Sequence, residues 1–162
     1  MLGRGLAAAA LVALVDQLSK AWILQRFAEN GPPDLVPPLI WFFSLTLTAN
    51  RGMSFGLFNS DAALNTVVFT ALAAVIVAAL TIWLKGVRQT LLALALGMII
   101  GGAAGNVIDR LWRGAVVDFI EMHLAGWRFP WIFNGADAAI SIGVGLMVID
   151  SLLGRGKAPN PS

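Results

Sequence analysis

Cysteine is absent from the 162-residue chain, and histidine occurs once, as His123. Disulfides, thiol nucleophiles and cysteine-type zinc sites are thereby excluded, so any catalysis rests on carboxylates, hydroxyls or lysine, and neither a metal nor a cofactor is expected. Charge is scarce too: 12% of the residues carry it, against roughly 25% in a soluble domain. The formal net charge is only +2, so the sequence pI of 9.7 reflects a few lysines and arginines rather than a basic face. That excludes nucleic acid as a partner. What is there instead is hydrocarbon: 58% of the residues are hydrophobic and the mean hydropathy is +0.80. The chain reads as an integral membrane protein with one domain over residues 1–162, because four spans of about 20 residues leave no room for a soluble domain.

The apolar stretches Leu6–Ile23, Leu64–Leu84, Thr90–Ile108 and Phe133–Leu152 are each long enough to cross a bilayer as a helix. The first is not read as a cleaved leader, since Asp16, Gln17 and Lys20 continue it with no small-residue cleavage site before them. Positive charge without acid is concentrated in the N-terminus, the connection at 85–89 and the tail, as Arg4, Lys85, Arg88, Arg155 and Lys157. Both chain ends are therefore expected in the cytoplasm, with the other two connections outside.

Trp22, Trp41, Trp112, Trp127 and Trp131 fall at or beyond the outer ends, where indole favours the headgroup region, so membrane lipids are expected neighbours of the outer segments. Within the first outer segment, about 33–60, Leu45-Thr46-Leu47-Thr48 alternates with period two, and Pro32, Pro33, Pro37 and Pro38 exclude a helix before it. A small β-sheet resting on the bilayer is predicted. In the outer loop, about 109–132, Ala115–His123 and Trp127–Phe133 flank Leu-Ala-Gly as the arms of a hairpin. Gly97, Gly101 and Gly105 recur every four residues on the third span, as Gly135, Ala139 and Gly143 do on the fourth. Such ridges admit close backbone approach, which predicts that the outer ends of these two helices are adjacent.

Carboxylates are costly in this setting, and an ionisable residue at a membrane boundary is a functional-site hypothesis by default. Asp16 and Lys20 share a helical face and read as a structural ion pair. Asn106 and Arg110 share another, and an arginine beside Asp109 reads as a buried pair fixing a helix end. Asp118 and Asp137 have no basic residue within four positions. A helix N-cap would explain Asp137 and a solvated loop Asp118. Placed together they would form a dyad, one carboxyl keeping its proton as an acid while the other, as a base, activates water. Asn50 and Asn134 lie near the same boundary, where amides either orient a substrate or satisfy local backbone.

Five segments carry a resemblance: Asp16-Gln17-Leu18-Ser19-Lys20, Asn50-Arg51-Gly52-Met53-Ser54-Phe55, the run from Gly101 to Arg110, Gly114-Ala115-Val116-Val117-Asp118-Phe119, and Phe133-Asn134-Gly135-Ala136-Asp137. In this order they resemble the lipoprotein signal peptidase family, the bacterial signal peptidases of type II, which are aspartyl peptidases. One departure is visible: Met53 and Ser54 stand where the family commonly has alanines, which leaves Asn50 and Gly52 intact. The resemblance implies four transmembrane helices with an outer β-cradle and a loop over the active site. It implies an endopeptidase that removes the signal peptide from diacylglyceryl-modified prolipoproteins just before the lipidated cysteine. Asp118 and Asp137 would be its catalytic dyad, with Asn50, Gly52, Asn106, Arg110, Asn134 and Ala136 lining or supporting the substrate site. Asp16, Lys20 and Asp109 would be structural. It places the chain in the bacterial inner membrane, acting as a monomer at the periplasmic face.

Other classes make different demands on the sequence, and a lipid-headgroup transferase, which needs a cluster of metal-binding acids, finds only scattered ones. A serine peptidase would use Ser54 with Lys20 or His123. A small four-helix transporter or assembly partner with proton-relaying acids predicts polar residues deep in several spans, whereas the second and third spans have charge-free interiors.

Overall fold

The computed structural model describes residues 1–30, 42–51, 62–124 and 127–154. Its elements are helix α1 (Leu2–Asn30), strand β1 (Phe43–Asn50), helices α2 (Ala62–Gly86) and α3 (Thr90–Arg113), strands β2 (Val116–Leu124) and β3 (Trp127–Phe133), and helix α4 (Gly135–Gly154). All four helices are long and apolar enough to cross a membrane. Each runs past, or starts off, the apolar stretch that marks it. Nothing between Ile23 and Asn30 breaks a helix, so α1 continues beyond its hydrocarbon segment. Phe133 belongs to β3 rather than to the fourth span, because Asn134 caps α4 and sets its first residue at Gly135. The prolines at 32, 33, 37 and 38, Trp41, and Gly52, Met53 and Ser54 of the second motif lie outside the described residues.

Helix α3 is the axis of the bundle and touches the other three helices. Its glycines explain how, and α4 lies against α3 as expected. A Cβ on Gly97 or Gly101 would strike the carbonyl oxygen of Gly5 or Ala9, and one on Gly105 would come within 2.6 Å of the Asp16 carboxylate. That ridge therefore packs on α1, not on α4. The contact with α4 uses Gly102, 2.5 Å from the Ala136 carbonyl oxygen by the same measure, and Gly143, 2.7 Å from that of Ala95. Sequence period four was a sound sign of close approach, but three helices surround α3 and each takes a different stripe. At the end of the bundle near the N-terminus, Leu84, Ala93 and Leu96 close an all-apolar core that includes Ala9 and Ile100. Helix α2 contributes little to the interior, and most of its side chains face outward.

At the opposite end α3 stops on Gly114, whose φ of +74° lets its N–H return to the Arg110 carbonyl. The chain then enters β2, the middle of an antiparallel sheet in the order β1-β2-β3. The first half of β2 is buried and the second half emerges. Val117 and Phe119 pack on Ile23 and Phe27 of α1, so the sheet is seated against the end of that helix. The register slips between Leu45 and Thr48 of β1, opposite Ile120 and Asp118, a bulge of the kind that re-aims a side chain.

Candidate active site

Helix α4 begins with a reciprocal cap. The Asn134 Oδ1 accepts the Asp137 backbone N–H at 3.0 Å, and the Asp137 Oδ2 accepts the Asn134 backbone N–H at 3.2 Å. This capping box makes Asn134 the N-cap and puts Asp137 in the first turn, where the positive end of the helix dipole favours a carboxylate. The cap expected of Asp137 thus belongs to its neighbour. It leaves the Asn134 Nδ2 to donate to the Asp118 Oδ1 at 2.6 Å and to the Asn106 Oδ1 at 3.3 Å. The Asn106 Nδ2 donates to the Asp137 Oδ1 at 2.9 Å, and the Asn50 Nδ2 to the Asp118 Oδ2 at 2.9 Å. Three asparagines therefore supply every oxygen of two carboxylates, from β1, α3 and the start of α4.

Asp118 is no solvated loop acid: it is 2% exposed. Burial pushes its carboxyl up from 3.8 to about 6. The nearby charge of Asp137 adds to the rise, and the amides of Asn50 and Asn134 and the charge of Lys20 oppose it. Such a group holds a proton near neutrality and also gives it up. It borders a cavity of about 580 Å³ whose walls include Thr48, Asn50 and Arg51 on one side and Pro130 and Trp131 on the other. A second space, about 260 Å³ between α2, α3 and α4, is lined by Phe69, Ile76, Ile99 and Ala103 and ends at Asn106 and Arg110. Asp118 borders the first cavity, and Asn106, which holds Asp137, lines the second.

Beneath the pair is a buried ionic cluster. The Lys20 Nζ lies 2.8 Å from the Asp16 Oδ2 and 2.7 Å from the Asp109 Oδ2, and donates to the Asn106 Oδ1 at 3.1 Å. Asp109 was expected to pair with Arg110. Its partners are Lys20 and Arg113 instead, because residues four apart share a helical face whereas adjacent ones diverge. The Arg110 charge acts on Asp118, Asp137 and Asp109, and its Nε is buried without a hydrogen bond among the described residues.

The structure gathers Asn50, Asn106, Arg110, Asp118, Asn134 and Asp137 at one place, with Asp16, Lys20, Asp109 and Ala136 directly behind. Gly52 lies outside the described residues. Two participants were missed. Gln17 donates to the Asp109 Oδ1 at 3.0 Å and the Gly105 carbonyl at 3.2 Å, and Arg113 pairs with Asp109 while donating to the Gln17 Oε1 at 3.1 Å. The four-residue interval from Asp109 to Arg113 was a usable sign of the second. Trp131, on the cavity wall, carries no spacing signal at all.

The model of the family described as signal peptidase (SPase) II matches residues 8–153. A lipoprotein signal peptidase of Rhodopseudomonas palustris is 42% identical over 159 residues, covering 94% of each chain. One of Burkholderia ambifaria is 45% identical over 144 residues, 88% of this chain and 83% of the relative. A solved structure described as a bacterial membrane enzyme is similar with a TM-score of 0.79 and 29% identity, covering 99% of this chain and 94% of that one.

Proposed function

We propose, from the premise that this chain belongs to the signal peptidase II family, that Asp118 and Asp137 are the dyad with which it hydrolyses lipoprotein signal peptides. The family's members are membrane-embedded aspartic endopeptidases. The observation that carries the dyad is the shared residue: Asn134 holds both carboxylates, giving Asp118 its side-chain Nδ2 and Asp137 its backbone N–H.

In this reading Asp118, raised by burial, keeps the proton, and Asp137 acts as the base. Water between them loses a proton to Asp137 as its oxygen bonds to the scissile carbonyl carbon. Asp118 gives its proton to the carbonyl oxygen, so no oxyanion is left in a medium of low dielectric. Collapse of that intermediate breaks the C–N bond, with one proton moving to the departing nitrogen. The pair is returned with its single proton, and no covalent enzyme intermediate is needed.

The substrate is a diacylglyceryl-modified prolipoprotein, cut just before the lipidated cysteine. An apolar signal helix and two acyl chains reach the dyad sideways through the bilayer, and the groove ending at Asn106 and Arg110 supports that route. The enzyme works as a monomer in the bacterial inner membrane, with both ends cytoplasmic and the dyad at the periplasmic face. The buried polar side chains among the described residues gather at one end of the bundle, which favours hydrolysis at a surface over a proton relay across it.

The test is cleavage of a diacylglyceryl-modified lipopeptide by purified enzyme in detergent. Asp118→Asn and Asp137→Asn each abolish turnover while the protein still inserts and folds. Turnover at the wild-type rate by either variant removes the dyad.

A further inference from the structure

Lys20 is wholly buried, and its ammonium donates to Asp16 and Asn106 and is ion-paired with Asp109 as well. Neutralising a lysine needs one acid. This one has two, and each has a second task. The Asp109 Oδ2, besides facing Lys20, accepts the backbone N–H of Val117 at 3.1 Å. The Asp16 Oδ1 accepts the backbone N–H of Ala136 at 2.9 Å, while its Oδ2 faces Lys20. Val117 immediately precedes Asp118, and Ala136 immediately precedes Asp137. The two acids thus grip equivalent backbone points, one residue before each member of the dyad. Lys20 also donates to the Asn106 Oδ1, and the Asn106 Nδ2 holds the Asp137 Oδ1.

We propose that Lys20 is the positioning residue that sets the distance between Asp118 and Asp137, acting through Asp16 and Asp109. This rests on the dyad reading and deepens it. Along the chain strand β2 and helix α4 are connected through the β2–β3 hairpin, and across space by the Asn134 amide on Asp118. A single cation on α1 ties both to one point, at 2.8 and 2.7 Å. Charged hydrogen bonds of this length are stiff, and in a buried site little water competes with them. Gly105 belongs to the device, since a side chain there would displace the Asp16 carboxylate. Arg113 and Gln17 fix the far oxygen of Asp109, so the second acid cannot swing.

The readout must separate positioning from folding. In Lys20→Met the expected result is a fall in kcat of at least about a hundredfold per folded enzyme, with KM within about twofold, because the substrate cavity is untouched. The pH profile moves as well. The charged groups that reach Asp118 are Asp137, Lys20 and Arg110, and Lys20 alone is removed. The midpoint reported by Asp118 shifts to higher pH, since a cation that favours its ionised form is gone. If Lys20→Met does not fold, the charge-balanced pair Lys20→Met with Asp16→Asn is measured, which leaves Asp109 paired with Arg113, and it is expected to keep the wild-type melting temperature to within a few degrees and still lose at least about a hundredfold in kcat. Wild-type kcat with an unmoved pH profile in either protein overturns the proposal, as does a loss of rate that only follows the folded fraction. Asp118→Asn is run in the same assay: if it is inactive while Lys20→Met is fully active, positioning fails and the dyad stands; if Asp118→Asn is active, the dyad itself fails.

Discussion

The contact between α1 and α3 has two ends built on opposite principles. At the Gly5 end, Gly97 and Gly101 bring the backbones together, and the surrounding core is apolar throughout. At the Lys20 end the same two helices meet through polar side chains, with Asp16, Lys20 and Asp109 each no more than 1% exposed. Dispersion holds the first end: each atom contact is weak, none is specific, and volume is what matters. Charge-assisted hydrogen bonds hold the second, where removing one partner strands a buried ion and costs several kcal/mol. The difference teaches where function is placed. A packed end tolerates change if volume is kept; a networked end tolerates almost none, and the candidate dyad stands on the networked one.

Substitutions at the networked end should break this contrast most visibly. Asp118→Asn or Asp137→Asn is expected to lower lipopeptide cleavage by about 10³-fold or more, the scale of a lost general acid or base. Lys20→Met follows at about a hundredfold, by the logic already given. Next comes a stability effect of opposite sign. The folded carboxyl of Asp118 titrates near 6, above its ordinary 3.8, so it favours folding below pH about 4 and that contribution is lost as pH rises through 6. Asp118→Asn should therefore be more stable than wild type at pH 8, by on the order of 3 kcal/mol, with the gap closing towards pH 4. Thermal unfolding in detergent across that range checks it, and a pH-independent difference would contradict the raised carboxyl.

The packed end yields smaller numbers. Gly101→Leu drives a side chain into the Ala9 carbonyl and should cost about 1–3 kcal/mol while leaving kcat per folded molecule near wild type. A loss of kcat as large as that in Lys20→Met would mean the two ends are not separable. Least of all is expected from Arg128→Ala. Its partner Glu121 is 3.3 Å away and Arg128 is 77% exposed, so melting should move by less than that of about 1 kcal/mol.

How much of this was legible beforehand varies with the range of the interaction. The spans, the alternation of β1 and the i, i+4 pairing of Asp16 with Lys20 are local, and period and spacing reveal them. The pairing of Asp118 with Asp137 was proposed from chemistry and family motifs, but what joins them, the doubly used Asn134, is a consequence of where α4 starts. Boundaries depend on caps, and a cap is a competition between side chains that spacing does not resolve: Asn134 and Asp137 were both eligible. The second acid on Lys20 was illegible, since Asp109 lies on another helix and its nearest basic neighbour in sequence, Arg110, points elsewhere. The glycine ridge of α3 was recognised as a packing face, yet a stripe does not name its partner when three helices are available.

Asn134 spends its backbone N–H and its side-chain oxygen on the first turn of α4, and its side-chain nitrogen on Asp118. Fraying of that turn therefore loosens both carboxylates at once, leaving one to Asn50 and the other to Asn106. A partly wound fourth helix would lack the one residue the two acids share, so in the dyad reading the pair is complete only when the start of α4 is wound.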